Sequence, residues 1–166
     1  DADFFDYVTL DQVIEHFIDP VRALTDVARV LKPGGVVIVA TPNVQGWGAA
    51  VFRRRWINWH APYHLHHFSR RSMELACART GLRVLNRKTI TCSEWLLHQW
   101  AHALMFPEVG HPSAYWSPQV GYTRFERRLV LILKSLMHLS RINHMLCRLS
   151  DAIGIGDNQL YFITRA

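Results

Sequence analysis

The spacing of apolar and polar positions changes several times along the chain, and each change marks an element. Asp6 to Leu10 is a short, mostly apolar run that predicts a strand. Val21, Leu24, Val27, Ala28 and Leu31 then recur three or four apart, which predicts a helix with one buried face. Asp19 is placed to cap it, and Pro20 suits its first turn, where a missing N–H costs nothing. Pro33-Gly34-Gly35 is expected to end that helix. Val36 to Ala40 is an unbroken apolar run, predicting a parallel strand covered on both faces. Its expected neighbour is the Asp6 to Leu10 strand, reached by a right-handed crossover. A polar and aromatic loop follows from Thr41 to Phe68; Ser69 then caps a helix that stops at Thr80-Gly81. Leu82 to Ile90 and Leu160 to Thr164 are the remaining strands.

Residues 91–158 separate those last two strands, far more than a hairpin needs, and read as a helical insertion. A first helix, Glu94 to Phe106, ends at Pro107. A loop with Gly110, Pro112, Pro118 and Gly121 leads to one long helix near Tyr122 to Leu149. Its apolar positions Phe125, Leu129, Ile132, Leu133, Leu136, Ile142, Met145, Leu146 and Leu149 make a stripe. The uncharged runs fall short of the roughly 20 apolar residues that a spanning helix needs. The division is therefore 1–90 with 159–166 as the α/β part, and 91–158 as an insertion facing an acceptor or a membrane.

Composition changes this picture in two ways. A chain of 166 residues, 49% hydrophobic and 19% charged, is globular and suits one core. Cys77, Cys92 and Cys147 are far apart and form no C-x-x-C pair, which argues against a disulfide framework or a zinc knuckle and for a reducing, cytoplasmic setting. The net charge of +6 is not spread evenly. Arg124, Arg127, Arg128, Lys134, Arg141 and Arg148 stand against only Glu126 between residues 121 and 150. A basic amphipathic helix suits the inner face of a membrane better than nucleic acid, which would need basic residues interleaved with stacking aromatics.

Several motifs occur in order. Phe5-Asp6-Tyr7-Val8 precedes Val13-Ile14-Glu15-His16, then come Leu31-Lys32-Pro33-Gly34-Gly35 and Thr41-Pro42-Asn43. This resembles the second half of a class I S-adenosylmethionine-dependent methyltransferase of the type 11/23 group, with its "FD-V", "(V/I/L)(I/L)EH", "LKPGG" and "TPN" anchors. The resemblance implies the C-terminal part of a Rossmann-like, doubly wound sheet of parallel strands with a final antiparallel strand. It also implies S-adenosylmethionine as cofactor, with the glycine-rich "ExGxG" loop expected upstream of Asp1. The chain is thus expected to be truncated, inactive alone, and prone to self-association through an exposed central strand.

Ligands in such sheets bind beyond the carboxyl ends of the strands, so Leu10 to Val13 and Thr41 to Asn43 are expected to face one crevice. The family places the residue after the first strand against the cofactor, which selects Asp11, with Leu10, Gln12 and Val13 beside it. Glu15-His16 is similar to the "ExxEH" of ubiquinone-pathway O-methyltransferases, which is associated with a divalent metal. Gln12 replaces its first carboxylate, and no metal is expected. Four imidazoles lie between His60 and His67 in a loop without cysteine, a poor pattern for zinc. His67 is read as a latch beside the Ser69 cap. Asn43, Trp59 and Tyr63 are expected to contact substrate, and His16, His60 and His64 are the candidate bases. His98 and His102 share a helical face, but Gln99 stands where a zinc protease has its glutamate. Arg53-Arg54-Arg55 could grip phosphate or form a solvated turn.

The function expected is methyl transfer to a small-molecule, glycan or lipid-linked acceptor, with oxygen slightly favoured as the acceptor atom. The alternative is a non-catalytic module that keeps the fold and docks a membrane or partner.

Overall fold

A computed structural model of the chain describes residues 2–105 and 123–166. Pro107, Gly110, Pro112, Pro118, Gly121 and Tyr122, on which the expected loop and helix start rested, lie outside the described residues. Four strands form one sheet in the order β1-β2-β4-β3: β1 Phe5–Asp11, β2 Leu31–Pro42, β3 Leu82–Ile90 and β4 Asn158–Arg165. β1 runs parallel to β2, with Val8 opposite Val37 and Leu10 opposite Val39. β4 is antiparallel to both neighbours, pairing Ala40 with Leu160 on one side and Lys88 with Leu160 on the other. The mixed α/β class, with its parallel pair and final antiparallel strand, is the arrangement expected from the sequence.

The link from β1 to β2 is α1, Pro20–Val30. Asp19 caps it, its carboxylate accepting from the Arg22 N–H at 2.9 Å, and Pro20 occupies the first turn. The helix stops one residue before Leu31 rather than at the glycines, because Leu31 already pairs with Phe5 as the first residue of β2. Lys32 to Gly35 then bulge out of register before Val36 meets Tyr7, with Gly34 in the left-handed region at φ 79°. Gly35 is required for a second reason, since an added Cβ would sit 3.0 Å from the Asp6 carbonyl oxygen.

α3, Arg70–Arg79, joins α1 on one face of the sheet. Leu24, Val37, Val39, Met73, Cys77, Leu82, Tyr161 and Ile163 bury there as one core. β2 alternates: Val37 and Val39 are buried, while Val36 and Ile38 are half-buried. The expectation of a strand covered on both faces is corrected to this extent among the described residues.

Ser69 caps α3 through a reciprocal box with Ser72, each side chain accepting from the other residue's backbone N–H. Ser69→Ala should cost roughly 1 kcal/mol, read as a lower urea midpoint with an unchanged slope.

The loop from Thr41 to Phe68 is more structured than its composition suggests. It contains α2, Trp47–Phe52, and two single 3₁₀ turns, Arg53–Arg55 and Ile57–Trp59. Between β3 and β4 lie α4, Ser93–Met105, α5, Arg124–Ser140, and α6, Ile142–Ala152. The single long helix expected there is two, separated at Arg141, whose φ of 52° breaks the helical path. Asp151 ties the end of α6 to the end of β3: its carboxylate accepts from the Thr91 N–H at 3.0 Å and the Thr91 hydroxyl at 2.8 Å. No helix among the described residues is long and apolar enough to cross a membrane.

Candidate functional site

The carboxyl end of β1 opens onto a cleft of about 690 Å³. Asp11 and Gln12 form one rim, followed by His16. The opposite wall is Asn58, His60 and His64, and the floor comes from the β3–α4 junction at Ile90, Thr91, Cys92 and Trp95, with Asn158 of β4.

Backbone geometry builds the rim. The Gln12 N–H donates to the Ala40 carbonyl at 2.9 Å, extending the β1–β2 ladder by one residue. Gln12 then turns through φ 52° and its amide donates to Asn158 Oδ1 at 3.2 Å. His60 on the facing wall also has a left-handed backbone, at φ 35°. Each such residue other than glycine costs about 1–2 kcal/mol, so two on one cleft mark a site where local strain is retained. Asp11 is exposed at the rim and does not cap the turn that follows, which has no side-chain cap.

The imidazoles are held by carbonyl oxygens. His16 Nδ1 donates to the Tyr63 carbonyl at 3.0 Å, and His64 Nδ1 donates to the Asn58 carbonyl at 2.7 Å. A carbonyl only accepts, so each ring carries its proton on Nδ1 and keeps Nε2 as the basic atom. The His16 and His64 rings meet edge to face at 4.7 Å, and His64 meets His60 at 4.8 Å. Burial pushes His64 down to about 4, outweighing its bond to Asn58. His60 is also lowered, by burial and then by the charge of His16. Both are neutral at physiological pH.

Behind this wall is a buried scaffold. Asp157, 4% exposed, accepts from Trp56 Nε1 at 2.8 Å and from Asn58 Nδ2 at 2.9 Å. Asn58 in turn accepts from Trp95 Nε1 at 3.0 Å, linking the loop to α4. Burial pushes Asp157 up to about 6. Gln99 is a clamp rather than a catalytic residue: it accepts from the Ile57 N–H at 2.7 Å and donates to the Arg55 carbonyl at 2.9 Å. Asp157 does not stand out in the sequence, and Gln99 does so only as a departure from a zinc-protease motif, since both act through partners far away in the chain.

The structure brings Asp11, Gln12, His16, His60 and His64 to one cleft. Leu10 is half-buried against the core and Val13 is exposed, and neither lines the cleft. Asn43 is fully buried, donating to the Gly156 carbonyl at 2.8 Å and accepting from the Gln45 N–H at 3.1 Å, so its amide does not reach a ligand. Trp59 donates to the Arg53 carbonyl and packs on Trp56 and His67. Tyr63 is exposed, stacks on His60 at 4.9 Å, and does not line the cleft. His67 bonds the Asn58 carbonyl at 3.2 Å, so this bond holds the 3₁₀ turn at Ile57–Trp59.

Glu15 is fully buried, accepting from the Thr41 hydroxyl at 3.1 Å and raised by burial. Its other oxygen lacks a partner. With His16 and His64 it forms a set of donor atoms within 4.8 Å of one another. Gln12, at the position of the first carboxylate in the metal-associated motif, turns to Asn158 instead.

A methyltransferase-domain family model matches residues 1–87. The chain belongs to this family. The methyltransferase domain is 35% identical over 81 residues to a ubiquinone biosynthesis O-methyltransferase of Maricaulis maris, a match covering 48% of this chain and 32% of that protein. The chain thus spans only about a third of the length of this curated relative. Among solved structures, a methyltransferase from Thermotoga maritima described as a possible histamine N-methyltransferase overlays 99% of the chain on 58% of its own, with a TM-score of 0.52 at 16% identity. The [4+2]-cyclase SpnF overlays 99% of the chain on 50% of its own, with a TM-score of 0.53 at 15% identity. These two show the shared fold.

The family implies S-adenosylmethionine as cofactor. The residues present fit one side of such a ligand: an exposed carboxylate at the strand end suits a cationic group, and the amide of Gln12 lies beside it.

Proposed function

We propose that the domain transfers a methyl group from S-adenosylmethionine to a hydroxyl oxygen of a small, largely apolar acceptor. The observation that carries this is the position of His16: an imidazole with a fixed tautomer, on the same cleft as the Asp11–Gln12 rim. When bound, the cofactor supplies a methyl already activated by its sulfonium, so the protein has mainly to align the acceptor and exclude water. His16 Nε2 would accept the proton of an acceptor hydroxyl, leaving that oxygen free to take the methyl that the bound cofactor would supply. His60 and His64, both neutral, leave that site free of a competing positive charge. Trp95 and Ile90 give the acceptor an apolar wall, and the half-buried Trp95 ring is fixed by Asn58. Support for this reading comes from the apolar wall and from the curated relatives, which are O-methyltransferases; a free small molecule, a glycan or a lipid-linked group would each offer such a hydroxyl.

Calorimetric titration of S-adenosylmethionine and S-adenosylhomocysteine into the full-length protein tests the reading. Both should bind, and Asp11→Ala should weaken both by about tenfold or more through loss of a charge-assisted contact. No binding of either ligand to the full-length protein would replace this reading by the non-catalytic module.

A further inference from the structure

α6 is amphipathic in the reverse sense to most surface helices, and α5 turns its apolar stripe outward as well. On α6 the buried positions are Asn143, Cys147 and Ser150, while Ile142, Met145, Leu146 and Leu149 face outward. On α5 the stripe of Phe125, Leu129, Ile132 and Leu136 is also turned to solvent, with Phe125 75% exposed and Leu136 61% exposed. Ile153, 70% exposed, continues the α6 stripe beyond the helix end. An outward apolar stripe on two consecutive helices exceeds the scattered apolar exposure of an ordinary surface.

The charges beside the stripe define what covers it. Arg124, Arg127, Arg128 and Arg141 are exposed on the same two helices or their junction. The acidic groups nearby are engaged: Glu126 accepts from the Thr123 N–H at 2.7 Å and its hydroxyl at 2.8 Å, and Asp151 is held by Thr91 and Arg148. A surface that is apolar along its centre and strongly basic beside it is complementary to a layer of acyl chains beneath phosphate headgroups.

We infer that α5 and α6 dock the protein on an anionic bilayer, lying in the interface without crossing it. A second copy of this chain fits less well, since pairing these faces would bring the arginines of both copies together. The inference stands apart from methyl transfer, and its readout does not depend on cofactor binding.

The test is cosedimentation of the full-length protein with phosphatidylcholine vesicles, with and without about one third phosphatidylglycerol, at low salt and at about 0.5 M salt. Binding is expected only to the anionic vesicles and only at low salt. The triple variant Arg124→Glu/Arg127→Glu/Arg128→Glu should bind at least about tenfold more weakly. Leu136→Ser/Met145→Ser, whose sites are solvent-facing, should also lose binding while melting like the parent protein. Failure to bind anionic vesicles at low salt would overturn the inference. So would a dimer, seen by light scattering without lipid, that Leu136→Ser/Met145→Ser converts to monomer.

Discussion

At about pH 4, Asp157→Ala should lower the stability of the protein by about 2–5 kcal/mol, because two buried donors lose their acceptor together. Trp56 is 1% exposed and Asn58 2% exposed, and the Asp157 carboxyl oxygens accept from both side-chain N–H groups. Water has little room to replace it. An added Cβ on Gly48 would lie 2.1 Å from Asp157 Oδ1, which shows how closely the α2 backbone packs on this group. The Asp157 backbone is engaged as well, its N–H donating to the Thr91 hydroxyl at 2.9 Å and its carbonyl accepting from Asn43 at 2.8 Å. The backbone contacts survive in the variant, so the deficit reports the carboxyl group alone. Asp157→Asn keeps one acceptor oxygen and should fall between the two. Urea unfolding followed by circular dichroism measures all three. Equal midpoints for Asp157→Ala and the parent would show that Trp56 and Asn58 find other partners.

The pH at which this is measured matters, and its sign follows from burial. Asp157 has its folded value raised to about 6, so the neutral form is the one the fold favours. Its contribution is fully present below its ordinary value near 3.8 and is lost as pH rises through about 6. That loss is on the order of 3 kcal/mol, so the penalty of Asp157→Ala should be largest below about pH 4, shrink as pH rises to about 6, and level off above it. His64 and His102 act in the other direction. Both are pushed down to about 4 by burial, so their contributions are present above about 6.5 and lost as pH falls toward 4. They are common to parent and variant, and their effect cancels in the difference.

Much of the fold is legible in the sequence because its signals are local. Asp19-Pro20 before an apolar stripe, Ser69 before Met73, and the Val36 to Ala40 run each declare an element within a few residues. The site is legible only where a local motif coincides with a strand end, as at Asp11 and Gln12. Asn43 illustrates the limit: "TPN" lies at the end of β2, but a fully buried amide bonded to Gly156 is a brace for the β4 approach. Asp157 shows the converse, since a lone aspartate after Ile155-Gly156 looks like a turn residue while its partners are some 100 positions earlier. Gln12 and Arg141 adopt left-handed backbones without being glycine, asparagine, aspartate or histidine, so no local preference announces them. The break at Arg141 was hidden for that reason, the apolar spacing running on through it.

The largest effect on the reaction should come from His16→Ala, with kcat lowered by about 10²–10³-fold and little change in cofactor affinity. His16 is exposed, its ring bonds the Tyr63 carbonyl and meets the His64 ring, and it makes no bond to Asp157, Trp56 or Asn58 among the described residues, so its removal should leave that buried scaffold intact. The variant should therefore melt like the parent. On the proposed reading, its position next to His64, 4.7 Å ring to ring, fits a single imidazole acting as the base. Were His64 charged, it would oppose the imidazolium forming on His16, but burial holds His64 down to about 4 and keeps it neutral. The pair is thus divided into a solvent-facing base and a desolvated neighbour, the kind of environmental difference that separates chemical roles in a shared cleft. Added imidazole should restore part of the rate to His16→Ala and none to the parent, a rescue that a merely structural residue would not give. An unchanged kcat would show that the acceptor atom needs no base, as for a carbon or an amine, and would move the oxygen assignment rather than the fold.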